Sequence, residues 1–144
     1  MNSHFSILLI FASYFQIFCA NQNFGIAEKE KPIKTVERIF KDYIKYSENV
    51  DSQENEDSMK KALQSLQVRS NKKDLPLLIN VWMYYDPTDF PARQLIAPIF
   101  DKDKATTLVA LDKRLKNKKE WEDNETAPYA DLIALRKQIS EQMR

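Results

Sequence analysis

Histidine, cysteine and glycine are almost missing from this sequence: the 144-residue chain has one of each, His4, Cys19 and Gly25. The first 20 residues hold no Asp, Glu, Lys or Arg, so all 22 basic and 21 acidic side chains lie beyond them. His4 and Cys19 both fall inside that uncharged stretch. If it is removed as a leader, the remaining chain has no thiol and no imidazole. That excludes a disulfide framework, a His/Cys zinc site, a thiol redox motif and any Ser-His-Asp or Cys-His nucleophile system. A single glycine argues against P-loop and dinucleotide-binding turns, which need several glycines so that the backbone can approach phosphate.

The uncharged stretch has a character of its own. From Phe5 to Phe18 it is an apolar run interrupted by Gln16, too short for the roughly 20 residues a membrane-crossing helix needs. Its length is that of a signal-peptide core, with cleavage expected after Ala20. Residues 1–20 are therefore read as a signal peptide, which places the protein outside the cytoplasm, secreted or periplasmic. A rival reading makes Cys19 a lipid-attachment site on a membrane-anchored lipoprotein, although Phe18 is bulky where a small residue is usual. Residues 21–32, with the only glycine, the run Glu28-Lys29-Glu30-Lys31 and Pro32, are expected to be a flexible lead-in. Residues 33–144 are expected to be a single domain.

Within that domain the apolar residues recur at helical spacing. Ile33, Val36, Phe40, Tyr43 and Ile44 define one face of a helix near 33–47. A second segment opens acidic (Asp51, Glu54, Glu56, Asp57) and closes basic (Lys60, Lys61, Arg69), the polarity a helix macrodipole favours. Its stripe of Met59, Ala62, Leu63 and Leu66 is narrow, so it is expected on the outside. A third helix near 74–85 starts with Asp74 as a cap and Pro76 in its first turn. Apolar residues nearly encircle it, which predicts the central helix, with Trp82 in the main stabilising cluster and loss of Trp82 expected to unfold the domain. After the turn Asp86-Pro87-Thr88-Asp89, a fourth helix near 89–101 should bury Ala92, Leu95, Ile96, Ile99 and Phe100, with Pro98 kinking its last turn. Leu108, Val109, Leu111 and Leu115 mark a fifth helix. A sixth, capped by Thr126, carries Pro128, Tyr129, Leu132, Ile133, Leu135 and Ile139. Strand patterns are scarce, so the expectation is an all-α domain: a small bundle or short solenoid-like stack of about six helices.

The pattern Pro-x-x-x-Leu-Ile-Ala occurs at Pro91 and again at Pro128, an offset of 37 residues that suits stacked helix pairs. Leu75-Pro76-Leu77-Leu78, then Asp86-Pro87, then Ala92-Arg93 resembles a HEAT-type repeat, with its early proline, Asp-Pro turn and arginine on the second helix. The resemblance covers about residues 75–100 and departs from the pattern in a longer gap between Pro76 and Asp86 and in Pro98. It implies a stack of αα-hairpins that binds other macromolecules, with no catalytic residues.

The densest candidate site is the aromatic and acidic turn of Trp82, Tyr84, Tyr85, Asp86, Asp89 and Phe90, with Arg93 just beyond it. Aromatic faces beside carboxylates can stack on sugars and accept hydrogen bonds from their hydroxyls; the same residues also suit core packing and a turn. Asp86 and Asp89 are three residues apart on a turn, which does not hold two carboxyls across a sugar as a glycosidase requires. The cations from Lys113 to Lys119 are followed at once by Glu120, Glu122, Asp123 and Glu125, and the net charge is +1, so no nucleic acid is expected as a partner. Asp101, Asp103, Asp123 and Glu125 lack the EF-hand spacing; no metal and no cofactor is expected. The reading favoured by these exclusions is an exported, non-catalytic module that binds another protein, through residues such as Tyr84, Tyr85, Asp86, Asp89 and Arg93. The alternative is a carbohydrate-binding or carboxylate-dependent carbohydrate-processing protein centred on the same turn. Contact with a membrane is expected only if the leader is retained or Cys19 is lipidated.

Overall fold

A computed structural model describes residues 30–46, 52–85, 90–117 and 126–144, with 126 and 127 described by backbone alone. Six α-helices and no strand occur among them, within the compact unit Lys31–Arg144. The leader, Cys19, the cleavage point and most of the lead-in lie outside the described residues. So do the 86–89 turn with Asp86 and Asp89, and the acidic run after Lys119.

The first helix, α1 (Pro32–Tyr46), begins on a proline, whose fixed φ suits the first helical position and whose missing N–H is not needed there. Lys31 supplies the carbonyl that accepts from the amides of Lys34 and Thr35. Val36, Ile39 and Phe40 are buried and Ile33 and Tyr43 pack against the core, whereas Ile44, expected in the stripe, is 57% exposed in the last turn. Next, α2 (Gln53–Arg69) is capped by Ser52, whose hydroxyl oxygen accepts from the Asn55 amide at 3.2 Å. It buries Met59, Ala62, Leu63 and Leu66, the narrow stripe its sequence predicts. It is less peripheral than expected, because it packs on α1 and on α4 (Ala92–Lys102).

Before the third helix the chain makes a short 3-10 turn, Lys72–Asp74. Asp74 does not cap α3 (Leu75–Tyr84) with its side chain, as expected; its carboxylate accepts from the Asn71 amide instead, while the Asn71 side chain accepts from Lys73. The aspartate is drawn one turn back because the chain bends there before α3 begins. The helix itself is central, touching α4, α5 (Lys104–Lys116) and α6 (Thr126–Glu141). Leu75, Leu78, Ile79, Val81 and Met83 are buried, whereas Trp82 is only half-buried, so the weight of this cluster falls on the aliphatic residues.

α4 starts at Ala92, later than expected, and runs unbroken past Pro98 to Lys102. A proline inside a helix removes an amide donor and crowds the carbonyl four residues before it, here that of Gln94. The next carbonyl, on Leu95, accepts a 2.8 Å hydrogen bond from the Gln67 side-chain amide of α2. Lys102 returns the tie, donating to the carbonyls of Gln67 and Val68 at 2.6 and 2.9 Å. These carbonyls belong to the last turn of α2, where unpaired acceptors and the negative end of the dipole favour a cation. The turn into α5 is a single residue, Asp103, whose carboxylate accepts from both the amide and the hydroxyl of Thr106. Thr107, fully buried, donates its hydroxyl to the Phe100 carbonyl near the end of α4.

Candidate functional site

Of the aromatic residues in the segment singled out by sequence, Tyr85 and Phe90 are buried and Trp82 and Tyr84 are half-buried. Tyr85 is 3% exposed and its ring is tilted against Tyr43 at a centroid distance of 4.7 Å and set edge-on to Phe90 at 5.5 Å. Rings held this way contribute packing beyond their area and leave no open face for a sugar. Tyr84 is half-buried against the core.

Arg93 is likewise committed within the fold. Its guanidinium lies 4.2 Å from the Trp82 ring centroid, its Nε donates to the Trp82 carbonyl at 3.0 Å, and its Nη2 pairs with Asp131 of α6 at 2.9 Å. It therefore closes the last turn of α3, where carbonyls lack helical partners, and ties three helices at one corner. The expected partner-binding set thus separates: Tyr85 in the core, Tyr84 at its edge, Arg93 in a clamp, and Asp86 and Asp89 beyond the described residues.

A different surface has the shape of a binding site. Along α5, Thr106, Val109, Ala110, Lys113 and Arg114 recur at steps of three and four and so share one face, with Asn117 following at the C-cap. Opposite them stand Leu75 and Pro76 at the start of α3, with Lys72 from the 3-10 turn. Together they line a groove of about 320 Å³. Its floor is apolar, and Val109 is 70% exposed along it. The small side chain of Ala110 leaves the gap that a larger residue would fill. Arg114 is fixed at one end by a 2.9 Å hydrogen bond from its Nε to the Asn80 Oδ1 of α3.

Among the described residues, the charges along this groove have one sign: Lys72, Lys113 and Arg114 line it and no described carboxylate does. Two described acids on or beside α5 are engaged elsewhere. Asp103 is turned onto Thr106, whose hydroxyl and amide hold its carboxyl below the usual range, with a smaller effect from Lys72. Asp112, also on α5, is paired with Arg136 of α6, whose hydrogen bond lowers the carboxyl pKa and raises that of the guanidinium. A second hollow of about 170 Å³ adjoins the first and shares Lys72, Leu75 and Thr106 with it. Its polar side chains Lys102, Asp103 and Thr107 already serve helix ends.

Such an arrangement offers apolar contact, cationic donors and one amide, Asn117, which together can hold an anionic amphiphilic surface. Among the described residues no three His, Cys, Asp or Glu side chains gather closely enough to hold a metal ion, and no helix is long and apolar enough to cross a membrane. Sequence reasoning weighed the cations from Lys113 to Lys119 only as a nucleic-acid patch cancelled by the acidic run after them and overlooked the groove. The available signal was Val109 and Ala110 followed four residues later by Lys113 and Arg114, which puts an apolar and a basic half on one helical face. Comparison with protein families, curated proteins and solved structures finds no match to this chain.

Proposed function

We propose that this protein is an exported, non-catalytic binding module that engages a partner protein through the groove between α3 and α5. The observation that carries the reading is the exposed apolar strip around Val109, bordered among the described residues by the cations Lys72, Lys113 and Arg114. Apolar surface that the fold leaves open beside convergent charged groups is characteristic of binding faces. The HEAT-type resemblance over residues 75–100, which implies macromolecular binding, supports the same class of function. Export rests on the uncharged leader, and the intact mass of protein purified from its host tests it: loss of residues 1–20 is expected, and a full-length or lipid-bearing mass contradicts it.

A photo-crosslinking amino acid placed at Val109 tests the binding reading, with Ile133 as control. Ile133 is also exposed, at 45%, but lies on α6 away from the groove residues. Protein adducts from position 109 and not from 133 are expected. No adduct, or equal labelling from both, contradicts the reading.

A further inference from the structure

We propose that the occupant of the α3–α5 groove is an acidic amphipathic helix of the partner protein, its apolar side chains seated on Val109, Leu75 and Pro76 and its flanking carboxylates paired with Lys72 and Lys113. This rests on the reading of the groove as a protein-binding face and names the chemistry it selects. Length is the first argument. The groove follows α5 from Thr106 to Asn117, about 16 Å at the rise of an α-helix, so an elongated occupant of about three turns matches it along its whole course. A helix laid in such a groove presents apolar anchors at i, i+3, i+4 and i+7, the same period as the wall that receives it.

Charge is the second argument. Every ionisable side chain that lines the groove among the described residues is basic, whereas Asp103 and Asp112, on or beside α5, are held by Thr106 and Arg136. An occupant bearing Lys or Arg along its flanks is repelled by these cations. One bearing Glu finds cations on both walls, Lys72 beside α3 and Lys113 on α5.

Fluorescence anisotropy with the full chain and a labelled synthetic helix, leucines on one face and glutamates flanking them, tests the proposal. A second helix with lysine in place of every glutamate is the comparison. Saturable binding of the glutamate helix is expected, at least about tenfold tighter than the lysine helix and weakening with salt as exposed charges are screened. Double reversal, K72E with K113E, should reduce binding of the glutamate helix by about tenfold and restore binding of the lysine helix. V109E should abolish binding of both. Equal affinity for the two helices, or no saturable binding of either, overturns the proposal. So does displacement of the bound helix by sodium laurate at concentrations below its micelle threshold, which assigns the groove to a small anionic amphiphile. If the helices fail to discriminate while position 109 still crosslinks protein, only the acidic specificity falls; if position 109 captures no protein, the binding reading falls with it.

Discussion

Thr107 is the one buried polar residue among those described, and its hydroxyl has a single assignment: the Phe100 carbonyl, 3.1 Å away. Replacing it by valine keeps the shape but leaves that carbonyl without the hydroxyl, so Thr107→Val should lower the free energy of unfolding by about 1–3 kcal/mol in urea denaturation. An unchanged midpoint would show that the Phe100 carbonyl finds another donor. Arg93 is more exposed. Its pairing with Asp131 leaves the two side chains 40% and 47% exposed, so the coupling in an R93A/D131A double-mutant cycle should stay below about 1 kcal/mol. The single change Arg93→Ala should cost more, about 1–3 kcal/mol, because it also removes the charged donor to the Trp82 carbonyl and the ring contact. Those losses identify Arg93 as a structural clamp; weaker partner binding without destabilisation would point back to the surface role suggested by its sequence position.

Glu37 is placed between Lys34 and Lys41, at 2.7 and 2.8 Å, and hydrogen bonding to these ammonium groups lowers its pKa from 4.5 to about 2. Asp112 and Asp103 are lowered too, through Arg136 and Thr106. A carboxylate whose pKa is depressed in the folded state contributes stability that is present above its unfolded pKa and lost as pH falls through the folded value. Stability should therefore decline as the pH drops from 4.5 toward about 2, and Glu37→Gln should remove part of that decline. With the only histidine at position 4, stability should stay nearly flat between about pH 5 and 8. A transition in that range would contradict the assignment of the acid response to these carboxylates.

At the scale of the helix, periodicity reads which face is apolar and not how far the covering neighbour extends. That distinction explains where the sequence was legible. The stripes of α2 and α4 were read residue by residue, apart from a half-buried Leu95, because each is covered along its length by other helices. Ile44 in α1 fits the spacing yet lies exposed in the last turn, while Ile39, left out of the expected stripe, is fully buried. Ile133 is exposed for a different reason: α6 buries the line Leu132, Leu135 and Ile139, and its neighbour in sequence points about 100° away from that line. The repeated Pro-x-x-x-Leu-Ile-Ala pattern shows the same effect, since Ile96 is fully buried in the first copy and Leu132 in the second. Helix ends were harder to read. The amide of Asn71 diverts Asp74, and Lys102 of α4 serves carbonyls more than thirty positions earlier, a pairing that no local pattern reveals. Ile79→Ala, a deletion at a fully buried position of the central helix, should cost about 2–5 kcal/mol. The same change at Val109, exposed on α5, should remain within about 0.5 kcal/mol, which thermal or chemical unfolding separates readily.

For the molecule as a whole, the aliphatic core formed around α3 determines what the surface can offer. It draws in Tyr85 and Phe90, two of the aromatics that the sequence advertised, and it leaves open a groove where the sequence showed only a basic run followed by an acidic one. The groove required two segments more than thirty residues apart, the start of α3 and the face of α5, to meet around Ala110. Their proximity is a tertiary fact, and the mixed apolar and basic stripe on α5 carried only half of it. The most direct measurement is a chemical-shift titration of backbone amides with the glutamate-flanked helix. The account predicts perturbations concentrated at Lys72, Leu75 and the α5 face from Thr106 to Asn117; perturbations centred on Tyr84, Tyr85 and Arg93, or absent from α5 at saturation, would contradict it.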